Sequence, residues 1–340
     1  MKKPTMSVLS SRKPTSRALV VAALLAVVAI TVASCGGSDD GARAASAAST
    51  TQPRREPPST SATTPASTVT SCAASPAVAR NIAYESVAGV PDRMTSVDVY
   101  RPADLCGAPV VVWVHGGGWQ KGDKNFQLAD KLRLAREQGW VLVSVNYRLT
   151  DPSAPEPVRY PAHNEDVAAA LAWVHDNIAR FGGDPSRVAV LGHSAGAQIV
   201  ASIGTDERYL AARGLSLSDL RCVGALDTEG FDVERMASAG NPIYRAAFGD
   251  DPAMWADASP IRHVAPGKDV PDFLVVERGA PGRRLTQDAF ANALRDAGIP
   301  VTVLDAGTLT HGQVNSQIGA SGDTVMTPPL VSFLSGCFAA

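Results

Sequence analysis

The chain has 340 residues, 45% hydrophobic and 19% charged, an ordinary balance for a folded protein that excludes wholesale disorder. Its 31 basic and 33 acidic residues leave a net charge of −2, without the basic excess that binding a nucleic-acid backbone requires. The basic residues Lys2, Lys3, Arg12, Lys13 and Arg17 open the chain with no acidic residue before position 35, so the remainder is mildly acidic.

An apolar run from Ala18 to Ala33 follows that basic start. It is shorter than the roughly 20 residues a bilayer span needs, and it reads as a secretory signal. The run closes on Val32-Ala33-Ser34-Cys35, which resembles the lipobox of bacterial lipoproteins. That resemblance implies removal of residues 1–34, a lipid on Cys35 and an exported protein facing the extracytoplasmic side of a membrane. An uncleaved anchor with an incidental cysteine is the alternative. Residues 35–71 are mostly Ser, Thr, Ala, Pro and Gly, with Val69 the one large aliphatic side chain. Such a segment cannot bury enough apolar surface to offset its ordering entropy and reads as a stalk. The globular domain is expected over 72–340.

From there strands and helices alternate. Val97–Arg101 reads as a strand, and Pro109–Val114 as a strand buried on both faces. Leu128–Gln138 fits a helix stopped by Gly139, and Trp140–Val145 a second buried strand. His163–Phe181 carries apolar residues at helical spacing up to Gly182-Gly183. Val188–Leu191 is a strand and Ala195–Ile203 a helix. Val223–Leu226, Phe273–Val276 and Val301–Leu304 are further strands, Gln287–Ala297 is a helix stopped by Gly298, and Leu330–Leu334 belongs to a last helix. Repeated strand–helix units point to an α/β domain with a mostly parallel sheet flanked by helices.

Chemistry concentrates at three places. Gly192-His193-Ser194-Ala195-Gly196 lies between a strand and a helix, the context in which G-x-S-x-G is a nucleophile elbow. His115-Gly116-Gly117-Gly118-Trp119 follows the Val-rich strand, and its glycines let backbone N–H groups converge on one point. With these motifs the chain resembles the α/β-hydrolases, specifically esterases with an HGGG motif. Asn146-Tyr147-Arg148-Leu149, Tyr160-Pro161-Ala162 with Asp166-Val167, and Phe181-Gly182-Gly183-Asp184-Pro185 stand in the family's order and spacing. The resemblance runs from about residue 95 to 335 and implies a carboxylic-ester hydrolase; the connection from Phe231 to Pro271, about 40 residues, is too short for a large cap domain. The resemblance also implies Ser194 as nucleophile and Gly117, Gly118 and Ala195 as oxyanion donors.

The third place is the histidine. The family's order is Ser, acid, His, and of six histidines only His311 lies beyond the last strand. The acid departs from the pattern: the family sets an Asp just past the strand matching Phe273–Val276, but residues 278–286 contain no carboxylate. Asp227, at the end of the strand after the nucleophile strand, is the first choice; Asp305 and Glu277, at other strand ends, stay open behind it. Trp113, Trp140 and Trp173 read as core. Trp119 is open to both core packing and substrate contact. Arg283-Arg284 reads as a solvated loop pair, with binding of an anionic substrate the alternative.

Four cysteines remain besides Cys35. In a sheet whose strands run toward the active end, Cys106 and Cys222 precede strands and so lie at the opposite end. Cys72 precedes the first strand, and a last helix descending from the His311 loop brings Cys337 down. The expected disulfides are therefore Cys72–Cys106 and Cys222–Cys337; four reduced thiols are the alternative. No Cys/His cluster suggests a metal, and no cofactor is implied. The expected protein is a lipid-anchored serine esterase acting on a small-molecule ester, its oligomeric state open. An amide-bond hydrolase on the same fold, or a binding lipoprotein that has lost the acid, are the alternatives.

Overall fold

The computed structural model describes residues 77–102 and 105–339; the leader, Cys35, the stalk and Cys72 lie outside them. In chain order the strands are β1 Val78–Ala83, β2 Ser96–Tyr100, β3 Ala108–Val114, β4 Val141–Val145, β5 Gly183–His193, β6 Cys222–Leu226, β7 Asp272–Glu277 and β8 Val301–Asp305. Between and after them run α1 Ala129–Gln138, α2 Ala162–Asn177, α3 Ala195–Thr205, α4 Arg208–Ala211, α5 Val233–Ser238, α6 Pro242–Phe248, α7 Pro252–Asp257, α8 Pro281–Asp296, α9 His311–Ser316 and α10 Thr327–Ala339. The eight strands form one sheet in the order β1-β2-β4-β3-β5-β6-β7-β8. Pairing is antiparallel at β1–β2 and β2–β4 and parallel from β4 onward.

The Val-rich strands follow from covering both faces of this sheet. On β3, Val110, Val112 and Val114 enter one apolar layer while Val111 and Trp113 enter the other. The period of two thus carries apolar residues to both sides, which is why the strand reads as an unbroken run. Burying one such valine stabilises the fold by roughly 1.5–3 kcal/mol. Val112→Asp or Val190→Asp would lose that and leave a carboxylate at a fully buried position in the central pair.

Helix stops follow the glycines. Gly139, at φ +70°, ends α1 with its N–H directed to the carbonyls of Ala135 and Arg136. Gly182, at φ +79°, ends the 3-10 turn Ile178–Phe181 that prolongs α2. Three regions differ from expectation. β1 escapes a sequence reading because it is a half-exposed edge strand, bulged between Ala79 and Ile82. The helix expected from Gln287 starts instead at Pro281, a residue whose fixed φ suits the first helical position. The segment after β6, for which no element was expected, holds α5, α6 and α7.

Cys222, the first residue of β6, is disulfide-bonded to Cys337 of α10, with their Cα atoms 6.1 Å apart. Cys106 is also a disulfide cysteine. Its expected partner, Cys72, falls outside the described residues. Among the described residues, no helix is long and apolar enough to cross a membrane.

Candidate active site

The strand order decides what meets at the sheet's carboxyl end. β5 lies between β3 and β6, so Ser194, following β5, has the glycine turn after β3 on one side and Asp227, following β6, on the other. Ser194 sits at φ +57°, ψ −118°, in the left-handed half of backbone space that costs about 1–3 kcal/mol for a side-chain-bearing residue. The turn is held by Ser194 N–H donating to the Leu226 carbonyl at 2.9 Å. Gly196 permits the tight crossing, because a Cβ there would stand 2.4 Å from the Val114 carbonyl oxygen.

His311 is the first residue of α9 rather than a loop residue, capped by Thr310, whose hydroxyl and Gln313 form a capping box. Its Nε2 lies 2.9 Å from Ser194 Oγ, and its Nδ1 lies 2.6 Å from Asp227 Oδ2. A carboxylate only accepts, so Nδ1 carries the proton and Nε2 is left to accept the serine O–H. Ser194, His311 and Asp227 thus form one hydrogen-bonded chain. Glu277 and Asp305 are engaged elsewhere. Glu277 faces Arg284, and burial together with neighbouring Asp288 pushes its carboxyl up; Asp305 is 64% exposed and bonded to Arg284.

Asp227 is fully buried and also sits at positive φ, +52°. Arg278 Nε reaches its Oδ2 at 2.5 Å, while Arg283 Nε and Nη2 reach Oδ1 at 3.0 and 2.7 Å. Burial opposes ionisation, but the His311 hydrogen bond and the two guanidiniums outweigh it and hold the carboxyl well below the usual range. The expectation of a solvated Arg283-Arg284 pair is therefore corrected. Because α8 begins at Pro281, the two side chains are fixed on its first turn, Arg283 turned to Asp227 and Glu229, Arg284 to Asp305. Arg278 and Arg283 likewise serve Asp227 rather than Glu277.

On the other flank, Gly117 at φ +126° and Gly118 at φ +62° line the same cleft as Ser194. A Cβ on Gly117 would stand 1.9 Å from the Lys121 carbonyl oxygen, so only glycine fits there. Ala195 is the first residue of α3, where an N–H has no intrahelical acceptor. His115 makes no hydrogen bond to Ser194: it stacks on Tyr147 at 4.5 Å and donates from Nδ1 to the Gly116 carbonyl at 2.8 Å. His193 donates from Nε2 to the His311 carbonyl at 2.9 Å, and burial, aided by His311, pushes it down to about 3. His193, Asp227 and His311 place ligand-type atoms within 4.8 Å of one another. Those of Asp227 and His311 are engaged within the chain, and two guanidiniums beside them oppose a metal cation.

The cleft is about 890 Å³. Trp119 lines it, buried, with its indole N–H on Gln198 and its ring edge-on to Tyr244 and Phe248. Trp119 is therefore packed in the core and also forms part of the cleft wall. Phe126 and Ile243, exposed, stand at its rim. Trp113 and Trp140 are buried in the core, and Trp173 packs against its edge.

A family model for the carboxylesterase family matches residues 92–209. Carboxylesterase NlhH of Mycobacterium tuberculosis is 31% identical over 260 residues, covering 69% of this chain and 75% of the relative. The chain belongs to the carboxylesterase family. Esterase LipQ of the same organism is 33% identical over 221 residues, covering 61% of this chain. The match spans about half of LipQ's length, 51%, and similar shares of two further mycobacterial relatives, 44% and 46%. Among solved structures, esterase B from Lactobacillus rhamnosis, inhibited by a tributyrin phosphonate, aligns with a TM-score of 0.63 at 20% identity over 76% of this chain and 84% of its own. That likeness places this carboxylesterase family member in the α/β-hydrolase fold.

The sequence did not reveal the arginine clasp or the helix that carries His311. Thr310 and Gln313 at capping-box spacing were a readable signal for the helix. For the clasp the one hint was three arginines in a segment without a carboxylate.

Proposed function

We propose that this protein hydrolyses carboxylic esters through an acyl-enzyme on Ser194. The observation that carries the reading is the chain from Ser194 Oγ through His311 to Asp227, at 2.9 and 2.6 Å, beside the glycine turn. In this reading Ser194 Oγ attacks the ester carbonyl while His311 Nε2 takes its proton. Asp227 holds Nδ1–H, fixing the tautomer and stabilising the imidazolium. The amides of Gly117, Gly118 and Ala195 receive the developing oxyanion. His311 returns the proton to the leaving alcohol, and water, activated by the same histidine, releases the acid.

The esterase names of LipQ and NlhH favour an ester over an amide. A binding protein that has lost its acid finds no support where a carboxylate bonds His311 Nδ1. The cleft's breadth, with Trp119, Tyr244, Ile243 and Phe126 on its walls, suits short or bulky uncharged esters. The test is turnover of a short-chain nitrophenyl ester panel by wild type and Ser194→Ala. Comparable turnover by the variant would refute the mechanism.

For location we propose export and anchoring by a lipid on Cys35, supported by the basic start, the apolar run and the motif ending at Cys35. Mass spectrometry of native protein should find residues 1–34 removed and Cys35 lipidated. An intact N-terminus with unmodified Cys35 would refute this.

A further inference from the structure

The two arginines on Asp227 come from the segment on which the family resemblance implies an acid. Arg278 directly follows β7 and Arg283 lies in the first turn of α8. Every acceptor direction of the Asp227 carboxylate is occupied. Oδ2 takes His311 Nδ1 and Arg278 Nε; Oδ1 takes Arg283 Nε and Nη2, with Gln287 Nε2 at 3.3 Å. Arg283 also donates to the Asp227 carbonyl at 3.2 Å and to Glu229, so it grips backbone and side chain together. Gln287 ties in the last member, accepting from the Arg278 N–H at 3.1 Å and donating to the Thr228 carbonyl at 3.3 Å.

Resting on the hydrolase reading, we propose that Arg278 and Arg283 are positioning residues that lock Asp227 in the orientation His311 requires. The segment that would otherwise supply the acid instead holds an acid supplied by the neighbouring strand. Without the clasp, a buried carboxylate on a left-handed residue would keep only His311 and the long 3.3 Å contact from Gln287, and would be freer to turn about its χ angles. The clasp has a charge consequence as well. Two guanidiniums beside Asp227 oppose a positive charge on His311, so orientation is gained at some loss of imidazolium stabilisation.

That opposition separates positioning from a merely structural role. The other charged or titratable groups facing this cluster are Glu229 and Tyr244 beside Arg283, His193 at the end of β5 and Lys131 of α1. All four are unchanged in the variants, so a shift in the pH profile reports the arginines.

The experiment measures kcat, KM and the pH profile of nitrophenyl acetate hydrolysis for wild type, Arg278→Gln, Arg283→Gln and Arg283→Lys. The His311 Nδ1–H proton resonance is followed in the same proteins. Each Gln variant should lose roughly 10–100-fold in kcat, the cost of a misplaced catalytic group. The acid limb of its profile should move to higher pH by about half a unit or more, because a positive charge near His311 is gone. Arg283→Lys, which keeps the charge but not the fork, should lose kcat with little movement of that limb. The downfield Nδ1–H signal should broaden in both Gln variants.

Arg278 does not line the cleft, whereas Arg283 does. A rise in KM confined to Arg283→Gln, with kcat unchanged in both Gln variants, would mean that Arg283 acts on substrate and would overturn the proposal. Folded Gln variants with wild-type kcat, pH limb and Nδ1–H signal would also overturn it. If a Gln variant fails to fold, the remaining Gln variant decides by the same criteria and Arg283→Lys decides by its kcat, where a wild-type value would overturn the proposal. A wild type inactive on every ester would instead refute the hydrolase reading, and the Nδ1–H signal would still report on the clasp.

Discussion

The two flanks of Ser194 are built from different materials. Toward β3 the wall is backbone: Gly116 and Gly117 pack so closely that side chains are excluded, Gly118 takes a positive φ that favours glycine, and the groups on offer are amides. Toward β6 the wall is charge: one buried carboxylate gripped by a histidine and two arginines from three separate stretches of chain. The first flank is local, specified within five consecutive residues. The second depends on β6, β7, α8 and α9 all being correctly placed. Backbone geometry tolerates changes of solvent and pH, whereas a charge cluster responds to both.

The strongest challenge to this contrast is Asp227→Asn. The amide preserves shape but removes the charge and can present an N–H toward Nδ1, forcing the wrong tautomer. Ester turnover should fall by roughly 10⁴-fold, with KM changed little. An effect of less than tenfold would show that the charged flank is dispensable.

Gly117→Ala attacks the backbone flank. Its Cβ would meet the Lys121 carbonyl, so the turn must shift and the amide proposed to receive the oxyanion moves off target. Loss of one such donor costs roughly 10²–10³-fold in kcat. Unlike Asp227→Asn, this variant should keep the wild-type pH profile among what activity remains. A displaced profile would blur the distinction between the flanks.

A smaller effect concerns Lys131, which braces the charged flank from α1. Its amine is buried, donates to the carbonyls of Asn315 at 2.8 Å and Gln127 at 3.1 Å, and lies 4.6 Å from the Trp113 ring centre. Burial pushes it down to about 7 from 10.5. Between those values the unfolded chain holds the extra proton, so stability rises with pH through that window and is flat below it. Relative to Lys131→Met, wild type should gain up to about 1 kcal/mol per pH unit above pH 7. Urea unfolding of both proteins at pH 6, 7, 8 and 9 measures it, and parallel curves would refute the assignment.

The same division explains what could be read from the sequence. The glycine flank, the elbow and the sheet were legible because Gly192–Gly196, His115–Trp119 and the valine runs carry their meaning locally. Asp227 could be placed only by topology, as the end of the strand beside the one that leads to Ser194. The clasp was illegible because nothing within 278–286 reveals that Arg278 and Arg283 face Asp227, 51 and 56 residues away. It emerges only when α8 starts at Pro281 and turns its first turn toward β6. The helices after β6 escaped for a related reason: α5, α6 and α7 are six or seven residues long, too short to display a helical period.

The central claim, that Ser194 is made nucleophilic by His311, is tested most directly by covalent labelling. Intact protein is treated with an alkyl fluorophosphonate and mapped by mass spectrometry, for wild type, Ser194→Ala and His311→Ala. The account predicts one adduct, on Ser194 of wild type, none in Ser194→Ala, and labelling slowed by orders of magnitude in His311→Ala. Ester turnover that survives in Ser194→Ala, or labelling of Ser194 that is as fast without His311, would contradict it.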